Sequence, residues 1–283
     1  MAEFLAHLQK ISVLVFLVSS MLAMGLTLTL PAIVAPLRDV RLVLLALGLN
    51  FVLAPAFAWL LTVVIPLDRG HAIGLLLLGG AAGAPFLPKV VQNARGDLAL
   101  AAALMGLLTL GTILFLPFAL PLMIPGLQAD PWSIARPLIL LIVLPLAAGM
   151  VVKSFAATLA ACVAPVFAKL GNAALLLLFV LLVALNARAL LGVVGSGAIL
   201  AALLYFAGLF VIGWLLGGSK TEVRGVLGLA TAARNFGAAL VPAASSFTDP
   251  KVTIMIIVGA IVCLVVSFVA AGWVRRRAMP ALA

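Results

Sequence analysis

Charge is the scarcest thing in this chain. Only 8% of its 283 residues are charged, against about 25% in an ordinary soluble domain. A soluble fold of this length has a polar surface to cover, and these residues cannot cover it. Acids are fewest: seven, against seventeen Lys and Arg. Cysteine is limited to Cys162 and Cys263 and histidine to His7 and His71, with no CxxC pair and no ligand-like spacing. That excludes a disulfide framework and a zinc site. HExxH, Walker and GxSxG motifs are missing, as is any His, Asp and Ser set at membrane depth, so no enzyme and no cofactor is expected. The formal net charge of +10 falls mostly between apolar runs and without interleaved aromatics. It reads as membrane topology and attraction to lipid headgroups, not as nucleic-acid binding.

What is abundant is apolar sequence, at 66% of the chain. It divides into about nine runs, near 11–30, 41–65, 71–94, 97–122, 134–152, 168–190, 196–217, 224–247 and 250–274. Each is long enough to cross a hydrocarbon core of about 30 Å at about 1.5 Å per residue. The expectation is an all-α integral membrane protein, multi-pass, of one polytopic domain over 1–283. The N-terminal run is too long and too acidic at its start for a cleaved leader, and is expected to be retained. The stretch 153–167, with a lysine at its start and another just beyond its end, is expected to lie along the interface.

Nine spans put the termini on opposite sides. Arg275, Arg276 and Arg277 follow the last run and favour a cytoplasmic C-terminus. With them on the inside go Arg38, Arg41, Arg95, Lys153, Lys169, Lys220 and Arg224; Lys10, Arg69, Arg136, Arg188 and Lys251 fall outside. The bias of ten against five predicts an inner-membrane protein with its N-terminus outside and its C-terminus in the cytoplasm.

Lys89 and Arg234 remain, each within a run, while all seven acids are terminal or in loops. Their neighbourhoods are alike. Gly74–Asp97 reads GLLLLGGAAGAPFLPKVVQNARGD, and Gly225–Asp249 reads GVLGLATAARNFGAALVPAASSFTD. Each starts on glycine, carries a small-residue centre with proline and a cation, and ends on aspartate. They are the third and eighth runs, so they cross the membrane in opposite directions. That predicts an inverted repeat, about 11–122 and about 134–274, with two broken helices. Gly83, Pro85, Pro88, Gly237 and Pro242 are expected to make the breaks and their crossing.

Arg234 admits two readings: a structural arginine on the exposed carbonyls of a broken helix, or the wall of an anion or water cavity. Lys89 can snorkel to the surface or turn inward. Asn235, Asn50 and Thr231 join them as candidate substrate-binding residues. Gln92, Asn93 and Asn186 fit polar contacts at helix ends.

At GAPFLPKVVQNARGDLAL and ATAARNFGAALV the chain resembles the bile acid:sodium symporter family, over most of its length. The resemblance implies two broken helices crossing behind a substrate cavity, with a core domain set against a panel domain. It also implies where sodium ligands would stand, and those positions hold Leu87, Pro88, Ala101, Met105 and Ala230. The family's glutamine falls on Arg234, its asparagine on Asn235, and a glutamine of the second span on Asn50. No metal ligand set is left, and a fixed cation replaces a mobile one, which puts sodium coupling in doubt. The function expected is secondary transport of a small organic anion by alternating access. The alternatives are a proton-coupled or uncoupled carrier of another solute, or a non-transporting sensor or scaffold. Its partners are then that solute and the lipid bilayer.

Overall fold

A backbone in lipid must satisfy its own hydrogen bonds, and apolar runs of this length do so as helices. A computed structural model of the protein describes residues 2–29, 31, 38–124, 130–185, 187 and 192–278. The expected polar position Asn186 and the outside cation Arg188 lie outside the described residues. The helices are α1 (Ala2–Thr27), α2 (Val40–Val64), α3 (Arg69–Gly80), α4 (Leu87–Asn93), α5 (Leu98–Met123) and α6 (Pro131–Phe155). After them come α7 (Ala157–Leu185), α8 (Ala198–Leu216), α9 (Thr221–Ala232), α10 (Phe236–Ser246) and α11 (Pro250–Ala278). No strand occurs among the described residues.

Eight helical segments among the described residues are long and apolar enough to cross a membrane, with α9 and α10 counted together. The ninth expected crossing, 71–94, is α3 and α4, separated by an unwound stretch at 81–86. The molecule is thus an all-helical membrane protein with about nine spans and two broken helices, consistent with an inverted repeat.

One boundary differs from expectation. Residues 153–167 do not form a separate interfacial segment. Lys153 and Ser154 lie in the last turn of α6, which ends at Phe155; the chain turns at Ala156, and α7 runs unbroken from Ala157 through Pro165. The alanine-rich composition favours helix, and the two lysines simply mark the end of one crossing and the early part of the next.

Packing sorts the helices into two groups. In the first, α1, α6 and α7 lie together. Gly25 and Gly149 let the α1 and α6 backbones touch: a Cβ on Gly25 would sit 2.1 Å from the Leu146 carbonyl oxygen. The second group holds α2 to α5 and α8 to α11, with the broken helices at its centre. The α9–α10 crossing is buried from Gly225 to Ala243. At one end, Lys251 Nζ bonds Asp68 Oδ2 at 2.8 Å, tying the start of α3 to the start of α11. That bond and the lysine charge hold the Asp68 carboxyl below its ordinary value.

Candidate functional site

An unwound backbone inside a membrane needs partners for the groups it frees. The first break has them on α5. Thr112 Oγ1 accepts from the Ala82 amide at 2.8 Å and donates to the Ala82 carbonyl at 3.0 Å; Thr109 Oγ1 lies 2.9 Å from the Gly83 carbonyl oxygen. Gly83 has φ +79, and a Cβ there would sit 2.3 Å from the Thr109 nitrogen. Both the left-handed backbone and the close approach of α5 require glycine. Pro88 then opens α4, where its missing N–H costs nothing.

The second break is Ala233–Asn235. Asn235 serves both breaks at once. Its amide donates to the Ala81 carbonyl at 2.9 Å, its Nδ2 lies 3.2 Å from the Gly83 carbonyl, and its Oδ1 caps α10 by accepting from the Ala238 amide at 3.0 Å. These bonds are where the two broken helices cross. Pro242, expected to break the helix, lies inside α10 instead. The unwinding occurs at Ala233–Asn235 because that is where the backbone finds partners across the crossing. Gly237, in the first turn of α10, admits α1: a Cβ there would sit 2.2 Å from Leu17 Cδ2.

Arg234 is fully buried between the breaks. Its Nε donates to the Leu78 carbonyl at 2.9 Å and its Nη2 to the Gly79 carbonyl at 2.5 Å. Its Nη1 donates to Asn50 Oδ1 at 2.7 Å and reaches the Thr231 carbonyl at 3.5 Å. Leu78 and Gly79 stand in the last turn of α3, and Thr231 in the last turn of α9. These carbonyls lie at helix C-termini and carry the negative end of the helix dipole, and the Leu78 oxygen also accepts from the Ala81 amide that caps α3, at 3.3 Å. Arg234 has no carboxylate partner among the described residues. Asn50 is delivered by a π turn, Leu49–Leu53, ahead of Pro55. Its Nδ2 donates to its own helix at the Ala46 carbonyl, 3.0 Å away, which turns Oδ1 toward the guanidinium.

Between the two helix groups opens a cavity of about 610 Å³. Phe86 and Phe236, stacked at 5.5 Å, belong to its wall; Phe86 ends the first break and Phe236 follows the second. Opposite them stand Ser20 and Thr27 of α1, Lys153 of α6 and Asn172 of α7. Lys89 is exposed and lines this cavity. Of the sequence-predicted set, Pro85 and Pro88 also line it, while Arg234, Asn235, Asn50 and Thr231 are brought together behind its wall. No acid lines it among the described residues. A second cavity of about 390 Å³, lined by Lys10, Ser245 and Thr253 among others, lies beyond an apolar layer made by Phe16, Leu178, Phe236 and Leu240.

The positions to which the resemblance assigns sodium ligands are apolar in fact as well as in type. Leu87, Ala101, Met105 and Ala230 are buried hydrophobic residues, and Pro88 offers the cavity a ring. Thr109, Thr112 and the stacked pair Phe86 and Phe236 were not legible as site residues. Threonine in a helix usually bonds its own backbone, so only the placement of both hydroxyls opposite a glycine-rich stretch marks them.

The comparisons with known proteins agree with this architecture. A model of the sodium bile acid symporter family matches residues 14–193. The chain is also similar to a probable chloroplastic sodium/metabolite cotransporter of Arabidopsis thaliana. The two are 24% identical over 269 residues, which cover 94% of this chain and 67% of that protein.

Proposed function

The chain belongs to the sodium bile acid symporter family and is accordingly a secondary transporter; on that premise we propose that its solute is a small organic anion, moved by alternating access. One observation carries the reading: the cavity of about 610 Å³ holds Lys89 and Lys153 and no acid among the described residues. That volume suits a small organic molecule, and pockets for these commonly span about 300–1,000 Å³. Apolar lining from Phe16, Met24, Phe86 and Phe236 covers the body of the solute, and the lysines meet its charge. The four buried residues Arg234, Asn235, Asn50 and Thr231 hold the wall that Lys89 stands on. The second cavity and the apolar layer between the two suit access from alternate sides. By the charge bias of the loops, the protein sits in the inner membrane with the larger cavity open to the cytoplasm.

The test is a thermal-shift screen of carboxylates and sulfonates on purified protein, each paired with its neutral amide. The anions should stabilise and the amides should not. Lys89→Met should weaken the best anion about 10- to 100-fold, as expected for one charge-assisted hydrogen bond of about 1.5–3 kcal/mol, with apo stability unchanged. Equal shifts from both members of each pair, or an unaltered affinity in Lys89→Met, would overturn the reading.

A further inference from the structure

Arg234 sits where a small cation would be at home. Three carbonyl oxygens, from Leu78, Gly79 and Thr231, and Asn50 Oδ1 surround one buried guanidinium. The carbonyls come from the C-terminal ends of two half-helices that approach from opposite sides of the crossing. Neutral oxygens at the negative ends of two dipoles are what coordinate monovalent cations in broken-helix carriers. Here every one of those oxygens is within reach of a guanidinium that cannot leave.

Sodium does not fit this chain. The side chains that the family resemblance assigns to it, Leu87, Pro88, Ala101, Met105 and Ala230, supply no oxygen. The oxygens that surround the guanidinium are already engaged by it. A sodium ion would also face the Arg234 charge with no carboxylate between them, since among the described residues Arg234 has no ion pair and no group of three or more acids, His or Cys could hold a metal. We propose that the Arg234 guanidinium is a tethered replacement for a co-transported cation: it occupies the cation position permanently, and the carrier moves its solute without sodium bound there.

This deepens the transport reading, and it changes what drives the cycle. A mobile ion enters on one side and leaves on the other, delivering its gradient. A tethered one supplies the same local charge in every state and delivers no gradient. The solute then moves down its own electrochemical gradient or with an ion bound elsewhere.

The test uses the ions alone, so its outcome is independent of whether the solute is an anion. Purified wild-type protein is melted in sodium, potassium and choline chloride at equal ionic strength, and its binding of radioactive sodium is counted. Arg234→Ala and Arg234→Lys are treated alike, with guanidinium chloride at millimolar concentration as a further arm. Wild type and Arg234→Lys should bind no sodium and melt alike in all three salts. Arg234→Ala should melt lower, and should recover saturably in sodium or in guanidinium, by about 5 °C at saturation, and not in choline. Stoichiometric sodium binding by the wild type would overturn the proposal, whether or not any variant folds. So would a folded Arg234→Ala protein that answers to neither sodium nor guanidinium, since the oxygens would then form no cation site.

Discussion

Replacing Asn50 by leucine removes the one side-chain acceptor that the structure gives Arg234. The bond lost is the 2.7 Å contact from Nη1, which leaves that nitrogen only the Thr231 carbonyl at 3.5 Å. A hydrogen bond to a charged group is worth about 1.5–3 kcal/mol in water-soluble proteins. Cycles inside membrane proteins average nearer 0.6 kcal/mol and reach about 1.7 kcal/mol, because the unfolded chain also finds partners. The donor here is charged and both residues are fully buried, so the upper part of the membrane range applies: about 1.5 kcal/mol, or roughly 4 °C in melting temperature for a chain of this size. Asn50→Asp tests the cause. It forfeits the bond to the Ala46 carbonyl, worth about 1 kcal/mol. In return it sets a carboxylate against an unpaired guanidinium, an attraction of about 4 kcal/mol at 4 Å and an effective dielectric of 20, before desolvation is subtracted. The expected order of stability is Asn50→Asp at or above wild type, with Asn50→Leu below both. Thermal unfolding of the three purified proteins in one detergent reads it. An Asn50→Leu protein melting within about 1 °C of wild type, or an Asn50→Asp protein less stable than the leucine variant, would refute the account of a cation held by too few negative groups.

Two further outcomes can be checked with less. Gly83→Ala should cost several kcal/mol, because the left-handed backbone alone costs about 1–2 kcal/mol and the new methyl would meet the Thr109 backbone; wild-type yield and melting temperature would contradict the packing of α5 on the first break. A reporter active only in the cytoplasm, fused after Ala283, should be active, and silence from a stably expressed fusion would reverse the proposed orientation.

The two breaks were legible because their causes are local. Glycine, proline and a lone cation inside an apolar run have few uses other than an unwound stretch, and the same set appears in both halves. Asn50, Asn235 and Arg234 stood out for the same reason: each is polar where lipid or core was expected. What was not legible depends on pairing across the fold. Thr109 and Thr112 look like ordinary helical threonines until the Ala82–Gly83 backbone is laid beside them. Pro242 suggested the wrong place for the second break, since a missing N–H weakens a helix but does not decide where it opens. The start of α7 was obscured by lysines, which mark a helix end and an interfacial segment equally well.

The π turn in α2 has a consequence for how that helix keeps a face. Its fully buried positions include Ala46, Asn50, Ala54 and Ala58, four residues apart each time. An undisturbed helix completes three turns in about 10.8 residues, so each four-residue step drifts around the cylinder by about 40°, and three of them by about 120°. The wide turn at Leu49–Leu53 absorbs the surplus residue and brings the phase back. The helix on either side therefore points the same edge at its neighbours, as though the extra residue were not counted. Asn50 lies within the wide turn itself, so the amide faces inward in line with the alanines that pack above and below it. A polar group has been set into a buried stripe by changing the count of residues, with the packing at both ends of the span left in register.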